Sequence, residues 1–356
     1  MTAPSKLLMV MAGGTGGHIY PAMAVADALS AQGWRIVWLC SVGGMENQLI
    51  ANKAYQKVMV HIRGVRGKGW LAYLKLPLQL NWAFWDCACA MYRFRPQLVL
   101  GMGGFVAFPG GVMAWLSRIP LLIHEQNALA GWTNKWLSRL ATRTLCAFPE
   151  TLPNASVVGN PVRADMVNLP PPEVRFKGRE GVLRLLVLGG SLGAQIFNTL
   201  LPPALASLDV NVRPQVIHQA GVKHATQLQH SYKSLGVEAQ ALPFIDDMAA
   251  VYAWADIVIC RAGAITIAEL SVVGIASVLV PFPFAVDDHQ THNARYLSAA
   301  GAALLLPQTE FNHDTIVTLL KSLNRNVCLA YANAARALGR PDATAQVVQH
   351  CLESVR

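Results

Sequence analysis

The stretch GGTGGH, Gly13 to His18, sets four glycines and a histidine between an apolar run, KLLMVMA, and a segment, IYPAMAVADAL, that reads as a helix. Backbone N–H groups of a glycine-rich turn at a helix N-terminus close on a phosphate, so an anion site is the first chemistry to consider. The pattern is not a dinucleotide fingerprint, because Ile19 stands where a third glycine is needed, and it is not a Walker A loop, because no Gly-Lys-Ser/Thr follows. A tight strand-to-helix turn also accounts for the glycines, and a histidine near a helix start is often a surface or capping residue.

Other segments repeat the arrangement. GMGGFVAFPGG, Gly101 to Gly111, carries the pairs Gly103-Gly104 and Gly110-Gly111, which permit close backbone approach to a ligand or to a neighbouring loop. HEQN, His124 to Asn127, follows the run PLLI, and adjacent polar groups at a strand end read as a site. Gly189-Gly190-Ser191-Leu192-Gly193 fits two chemistries. It is a phosphate turn in which the Ser191 hydroxyl and nearby N–H groups hold an anion, or the G-x-S-x-G elbow of a serine hydrolase with His289 or His313 as base. Its echo of GGTGGH favours the anion.

DIVICRAGAITIAEL puts Glu269 on a helix after a strand, where a carboxylate accepts the two hydroxyls of a ribose; an exposed helix residue is the plain alternative. PFPFAVDDHQTHNA adds Asp287, Asp288, His289, Gln290 and Asn293. Asp288, His289 and His292 in one loop are weak metal spacing, and with no Asp-x-Asp pair no metal is expected.

These turns need strands and helices to hold them. KLLMVMA, RIVWLC, QLVLGM, PLLIHE and TRTLCAF, then LRLLVLGG, PQVIHQA, DIVIC and SVLVPF, are apolar on both faces and alternate with helical patterns, which predicts two parallel α/β sheets of Rossmann type. A proline-rich segment without periodicity separates the two series, placing a linker near Asn160 to Arg163. Ligands of such sheets bind at strand carboxyl ends, so the expected site is a cleft between the domains.

Composition agrees with two domains: 356 residues, 53% hydrophobic and only 14% charged, exclude disorder. The most apolar long stretch, Gly69 to Tyr92, is broken by Lys75, Pro77, Gln79, Asn81 and Asp86, so no spanning helix is expected. No signal peptide is read, which predicts a cytoplasmic location. The seven cysteines show no metal spacing and read as small core residues. A net charge of +9 favours an anionic partner, and without a nucleic-acid signature that partner is a phosphorylated substrate or acidic lipid, with no nucleic acid expected.

From Pro77 onward a helix is apolar on two sides. Leu78, Trp82, Trp85, Cys89 and Tyr92 form one stripe, and Leu80, Phe84, Cys87 and Met91 another. One stripe serves the core; the other, near Leu71, Leu74, Arg63, Arg66, Lys68 and Lys75, suits either an acidic membrane surface or full burial.

Taken in order, GGTGGHIYPAMAVA, GMGGFVAFPGG, HEQNALAGWTNKWL, VGNPVR, GGSLGA, FIDDMA, RAGAITIAEL and DHQTHNA resemble the MurG family of peptidoglycan glycosyltransferases, of glycosyltransferase family 28, over nearly the whole chain. The resemblance implies a GT-B fold, two Rossmann-like domains with parallel sheets facing across a deep cleft. It implies inverting transfer of N-acetylglucosamine from UDP-GlcNAc to the MurNAc C4 hydroxyl of undecaprenyl-pyrophosphoryl-MurNAc-pentapeptide, lipid I, giving lipid II and UDP. Residues 1–160 would be the acceptor and membrane-associating domain, 161–340 the UDP-GlcNAc domain, and 341–356 a helix packing back on the first.

Carried across, the donor site falls on Thr15, Gly16, Gly17, Asn127, Arg163, Ser191, Ile245, Ala264, Ile265, Thr266, Ile267, Ala268, Glu269 and Gln290. Ser191 and Arg163 would hold the diphosphate, Glu269 the ribose, the Ile245 backbone the uracil, and Asn127 and Gln290 the sugar. His18 resembles the family's base, with Glu125 assisting it, and no cofactor or metal is required. Gly13, Gly14, Gly103 and Gly104 are left for the acceptor pyrophosphate. Arg66, Lys68, Leu74, Lys75, Leu78, Trp82 and Trp85 form the membrane patch of a peripheral protein on the cytoplasmic face of the inner membrane. Other cell-wall synthesis or division proteins are an expected partner class. One departure is Leu192, where many members have Gln.

Overall fold

The computed structural model describes residues 6–62, 64, 76–190 and 192–355; the expectations for Arg66, Lys68, Leu74, Lys75 and Ser191 lie outside them. The chain divides into two compact units, Met1–Arg163 together with Pro341–Arg356, and Ala164–Arg340.

In the first unit β1 (Leu7–Ala12), β2 (Arg35–Ser41), β3 (Gln56–Val60), β4 (Leu98–Gly103), β5 (Leu121–Glu125), β6 (Arg143–Cys146) and β7 (Ser156–Val157) form one parallel sheet in the order β3-β2-β1-β4-β5-β6-β7. Every residue of β1 is buried, because a central parallel strand is covered on both faces. Its side chains alternate between two layers. Leu8, Val10 and Ala12 pack with Ile19, Val25 and Leu29 of helix Gly16–Ala31, and Leu7, Met9 and Met11 pack with Ala83, Cys87 and Met91 of helix Leu76–Phe94.

Val347, Val348 and Cys351 of the last helix, Ala343–Glu353, complete the first of these layers. A polar clasp adds to them: Arg143 Nη1 donates to Glu353 Oε2 and to His350 Nδ1, both at 2.8 Å. Burial, followed by the Arg143 charge, lowers the His350 pKa, which keeps the ring able to accept.

The second unit repeats the plan with β8 (Arg184–Leu188), β9 (Gln215–Gln219), β10 (Ala239–Leu242), β11 (Ile257–Cys260), β12 (Ala276–Leu279) and β13 (Leu304–Leu305), parallel and ordered β10-β9-β8-β11-β12-β13. In each sheet the order reverses beside the first strand, between β1 and β4 and between β8 and β11. Chains leaving the two strands of such a pair turn to opposite faces and open a crevice at their carboxyl ends. Both glycine turns occupy that position.

The nine expected strands are present, and four others, β3, β7, β10 and β13, are the outermost strands of the two sheets. Helix Leu76–Phe94 separates its stripes clearly. Cys87 and Met91 are buried, whereas Leu78, Trp82, Trp85 and Tyr92 are 65%, 62%, 66% and 79% exposed. Cys89 lies on the exposed side, which corrects its reading as a core residue; the other six cysteines are buried. Among the described residues no helix is long and apolar enough to cross a membrane.

A buried charge ties the second unit together. Asp256, at the entry to β11, is fully buried; its Oδ1 accepts from Arg179 Nη1, and its Oδ2 accepts from the Arg184 backbone N–H at 3.0 Å and lies 3.3 Å from Arg325 Nε. Removing the carboxylate strands two largely buried guanidinium groups, a loss of about 3–5 kcal/mol. Asp256→Ala should therefore lower the unfolding free energy of the second unit by that amount, read by hydrogen exchange at β8 and β11. Unchanged protection there would refute the assignment.

Candidate active site

The first turn leaves β1 at Ala12 and enters helix Gly16–Ala31 with Thr15 as N-cap in extended backbone, φ −141° and ψ 156°. Helix geometry leaves the first N–H groups without an intrahelical carbonyl, and here they belong to Gly16, Gly17 and their neighbours. His18 and Ile19 N–H donate to Thr15 O at 3.1 and 3.2 Å, so the helix starts firmly. Gly14 and Thr15 are exposed, and Gly16, Gly17 and His18 half-buried.

The turn after β4 meets it backbone to backbone. Gly104 has φ +89°, and a Cβ there would lie 2.4 Å from Gly13 O, so only glycine permits the approach. Gly13 N–H donates to Gly103 O at 3.4 Å. The ring of His18 spans both turns. Its Nδ1 is 3.0 Å from Gly13 O, and a Cβ on Gly103 would be 3.0 Å from its Nε2. A carbonyl only accepts, so Nδ1 carries the hydrogen and the neutral ring has its lone pair on Nε2. His18, Gly13, Gly14, Gly103 and Gly104 are thus one cluster.

HEQN is built differently. His124 is fully buried, donates from Nε2 to Gly159 O at 2.8 Å, and has Gln126 Nε2 3.1 Å from Nδ1. Burial pushes its pKa down to about 4, a neutral structural ring. Glu125 is also buried. Its Oε1 accepts from the Asn127 backbone N–H and Nδ2 at 3.0 and 3.2 Å, and its Oε2 accepts from Gly131 N–H at 3.1 Å and Asn134 Nδ2 at 2.8 Å. These bonds all serve its own loop, and none of them joins Glu125 to His18, which it was expected to assist. Glu125 holds Asn127 in place. Arg163, the last residue of this unit's first segment, is half-buried.

In the second unit the turn Gly189 to Gly193 joins β8 to helix Gln195–Ala206. Gly193, at φ +78°, would place a Cβ 1.9 Å from Ala220 O, so this turn too is pressed against the end of a neighbouring strand, β9. Gln219 Nε2 and Gly193 N–H converge on Gly190 O at 2.8 and 3.0 Å, and Asn198 Nδ2 donates to Ala220 O at 3.1 Å. Sequence reasoning missed Gln219 and Asn198, whose partners are set only by the fold. Leu192, at the tip, is 85% exposed.

His313 does not reach this turn. It is 2.9 Å from Ser207 Oγ, at the C-terminal end of helix Gln195–Ala206, whose 12 residues put it about 18 Å from the glycines. The hydrolase reading with His313 as base fails on that distance.

After β11, Gly263 caps helix Ala264–Val273. Glu269, one turn in and half-buried, accepts from the Tyr252 hydroxyl at 3.1 Å. Ile265, Thr266 and Ala268 are half-buried and Ala264 is buried, but Ile267 faces the core and spends its N–H on Gly263 O at 3.0 Å. Within its own unit the Ile267 side chain is a packing residue. Ile245 is buried beyond β10. Gln290 Oε1 accepts from Ala262 and Phe282 N–H at 3.2 and 2.9 Å, which joins the loops following β11 and β12. Among the described residues no three His, Cys, Asp or Glu side chains are grouped to hold a metal ion.

His218 on β9 resembles His124: fully buried, with Nδ1 2.9 Å from the Tyr232 hydroxyl, its pKa is pushed down by burial to about 3 from an ordinary 6.5. The unfolded chain protonates first, so the stability from this neutral ring is complete above about pH 6.5 and falls as pH drops toward 3. His218→Gln should flatten the acid loss of stability in the second unit between pH 6.5 and 4. An unchanged slope of urea midpoint against pH would show the proton binds elsewhere.

Comparisons with known proteins agree with this architecture. Residues 8–146 match the glycosyltransferase family 28 N-terminal domain and residues 184–347 its C-terminal domain. Proteins named UDP-N-acetylglucosamine--N-acetylmuramyl-(pentapeptide) pyrophosphoryl-undecaprenol N-acetylglucosamine transferase are similar over their full length. That of Dechloromonas aromatica is 50% identical, covering 98% of this chain and 99% of its own, and that of Aromatoleum aromaticum is 53% identical, covering 98% of each. The crystal structure of MurG from Acinetobacter baumannii matches with a TM-score of 0.87 at 40% identity, covering 98% of this chain and 99% of that one. With both sheets and their glycine turns matched from end to end, this chain belongs to glycosyltransferase family 28, with the GT-B fold.

Proposed function

We propose that the chain transfers N-acetylglucosamine from UDP-GlcNAc to the C4 hydroxyl of MurNAc in lipid I, with inversion, giving lipid II and UDP. The observation that carries this reading is 50% identity to a transferase of that name across 98% of the chain. Local geometry supports the parts. His18 Nε2, with its lone pair at the glycine cluster, takes the proton of the C4 hydroxyl while that oxygen attacks the anomeric carbon. The bond from that carbon to the diphosphate oxygen breaks, and UDP leaves with the electron pair.

The leaving charge is stabilised by N–H groups of the Gly189 to Gly193 turn with Ser191 and Arg163, whose planar fork suits phosphate oxygens. Glu269 takes the ribose, the Ile245 backbone the uracil, and Asn127 and Gln290 the sugar; Gln290 has its Oε1 engaged, which turns its Nε2 donor to that task. Thr15, Gly16 and Gly17 complete the donor contacts. Gly13, Gly14, Gly103 and Gly104 receive the acceptor pyrophosphate. Fixed N–H groups supply the charge stabilisation that a metal would otherwise give, so transfer proceeds with a chelator present.

The acceptor's polyprenyl tail calls for a surface that meets lipid. Besides the exposed stripe Leu78, Trp82, Trp85 and Tyr92, the helices covering the same core layer expose Trp115, Leu116, Trp132 and Trp136, all at least 48%, with Arg139 4.9 Å from the Trp136 ring centroid. Exposed tryptophans with a cation among them suit an acidic bilayer surface, and we assign this face of the first unit to peripheral attachment on the cytoplasmic side.

His18→Ala should retain UDP-GlcNAc binding and lose about 100- to 10,000-fold in turnover of a lipid I analogue in a radiolabel transfer assay with chelator. Near-wild-type turnover would rule out His18 as base. Trp82→Ser with Trp85→Ser should lower partition onto anionic vesicles roughly tenfold or more while leaving transfer to a short-chain acceptor intact. Equal partitioning would remove the patch.

A further inference from the structure

Glu46 is a carboxylate packed against the first glycine turn, at Gly13. It is fully buried at the start of the short helix Glu46–Leu49. Its Oε1 accepts from the Ser41 backbone N–H at 2.7 Å and the Ser41 hydroxyl at 2.5 Å. Its Oε2 has no hydrogen-bond partner among the described residues. Hydrogen bonding to one oxygen does not explain why a whole carboxylate is kept here, since burying an unmet acceptor is unfavourable.

Its packing does explain it. A Cβ placed on Gly13 would be 3.1 Å from Oε1 and 3.2 Å from both Cδ and Oε2, so the flat face of the carboxylate lies against the Gly13 Cα. A Cβ on Gly44 would be 2.3 Å from Oε1. The carboxylate is therefore wedged between Gly44 and Gly13. Gly13 in turn supplies the carbonyl that meets His18 Nδ1 at 3.0 Å and the oxygen against which Gly104 packs.

We propose that Glu46 is a positioning residue: its carboxylate buttresses Gly13 and so holds the Gly13 carbonyl on His18 Nδ1, which fixes the ring's tautomer and aim. Removing the buttress frees the Gly13 peptide to rotate, and the lone pair then divides between the two ring nitrogens. This rests on the reading of His18 as base. Small misplacement of a catalytic group reduces rate far more than binding.

The test combines kinetics with nitrogen-15 NMR of the histidine rings of the full chain. Glu46→Ala should lower kcat about 10- to 100-fold with the KM for UDP-GlcNAc within twofold, and His18 should change from a single Nδ1–H tautomer to a mixture. Glu46→Gln, which keeps the shape, should recover most of the loss. If Glu46→Ala does not fold, Gly44→Ala, whose methyl displaces the same carboxylate, should give the same kcat loss and tautomer mixture. A single unchanged tautomer with unchanged kcat in either variant overturns the proposal. If His18→Ala keeps full turnover the base assignment fails instead, and the tautomer measurement still judges Glu46.

Discussion

The contact between Gly104 and the Gly13 carbonyl, closer than any side chain would allow, is the constraint on which the first unit's site depends. It exists because β1 and β4 are neighbours although β2 and β3 separate them in the chain. Parallel neighbours end at the same edge, so their turns must share one small space. Glycine on both sides lets backbone meet backbone, and the ring of His18 then fits over the junction.

Three buried or half-buried histidines show how environment divides roles among identical side chains. His124 and His218 are enclosed, satisfied on at least one nitrogen and held neutral by burial, which suits them to fix strand ends. His18 gives one nitrogen to a carbonyl and keeps the other at the glycine junction. Carboxylates divide in the same way. Glu125 and Asp256 spend both oxygens on their own surroundings under full burial, whereas Glu269 is half-buried on the second turn of a helix and accepts from the Tyr252 hydroxyl.

The strands that were legible in the sequence are interior ones. LLMVMA and IVIC are apolar at every position because layers cover both faces, and such runs need no alternation to be noticed. The strands that were not legible are edges. QKVMV is mostly exposed, AQAL is partly so, and β7 and β13 are two residues each, so water on one side removes the apolar signature. On helix Leu76–Phe94 both stripes were readable, but only packing decided that Cys87 and Met91 face the sheet and Trp82 and Trp85 face outward.

The sequence by itself determined the two α/β halves, the glycine turns at the strand ends and the family, because each is written in adjacent residues. Tertiary structure alone decided what those residues touch. Glu125 is next to His124, yet its two oxygens accept from Asn127, Gly131 and Asn134. Gln219 reaches Gly190 across 29 positions, and Glu46 reaches Gly13 from beyond β2. Spacing along a chain records local periodicity, whereas parallel sheets bring together residues whose separation in sequence carries no period at all.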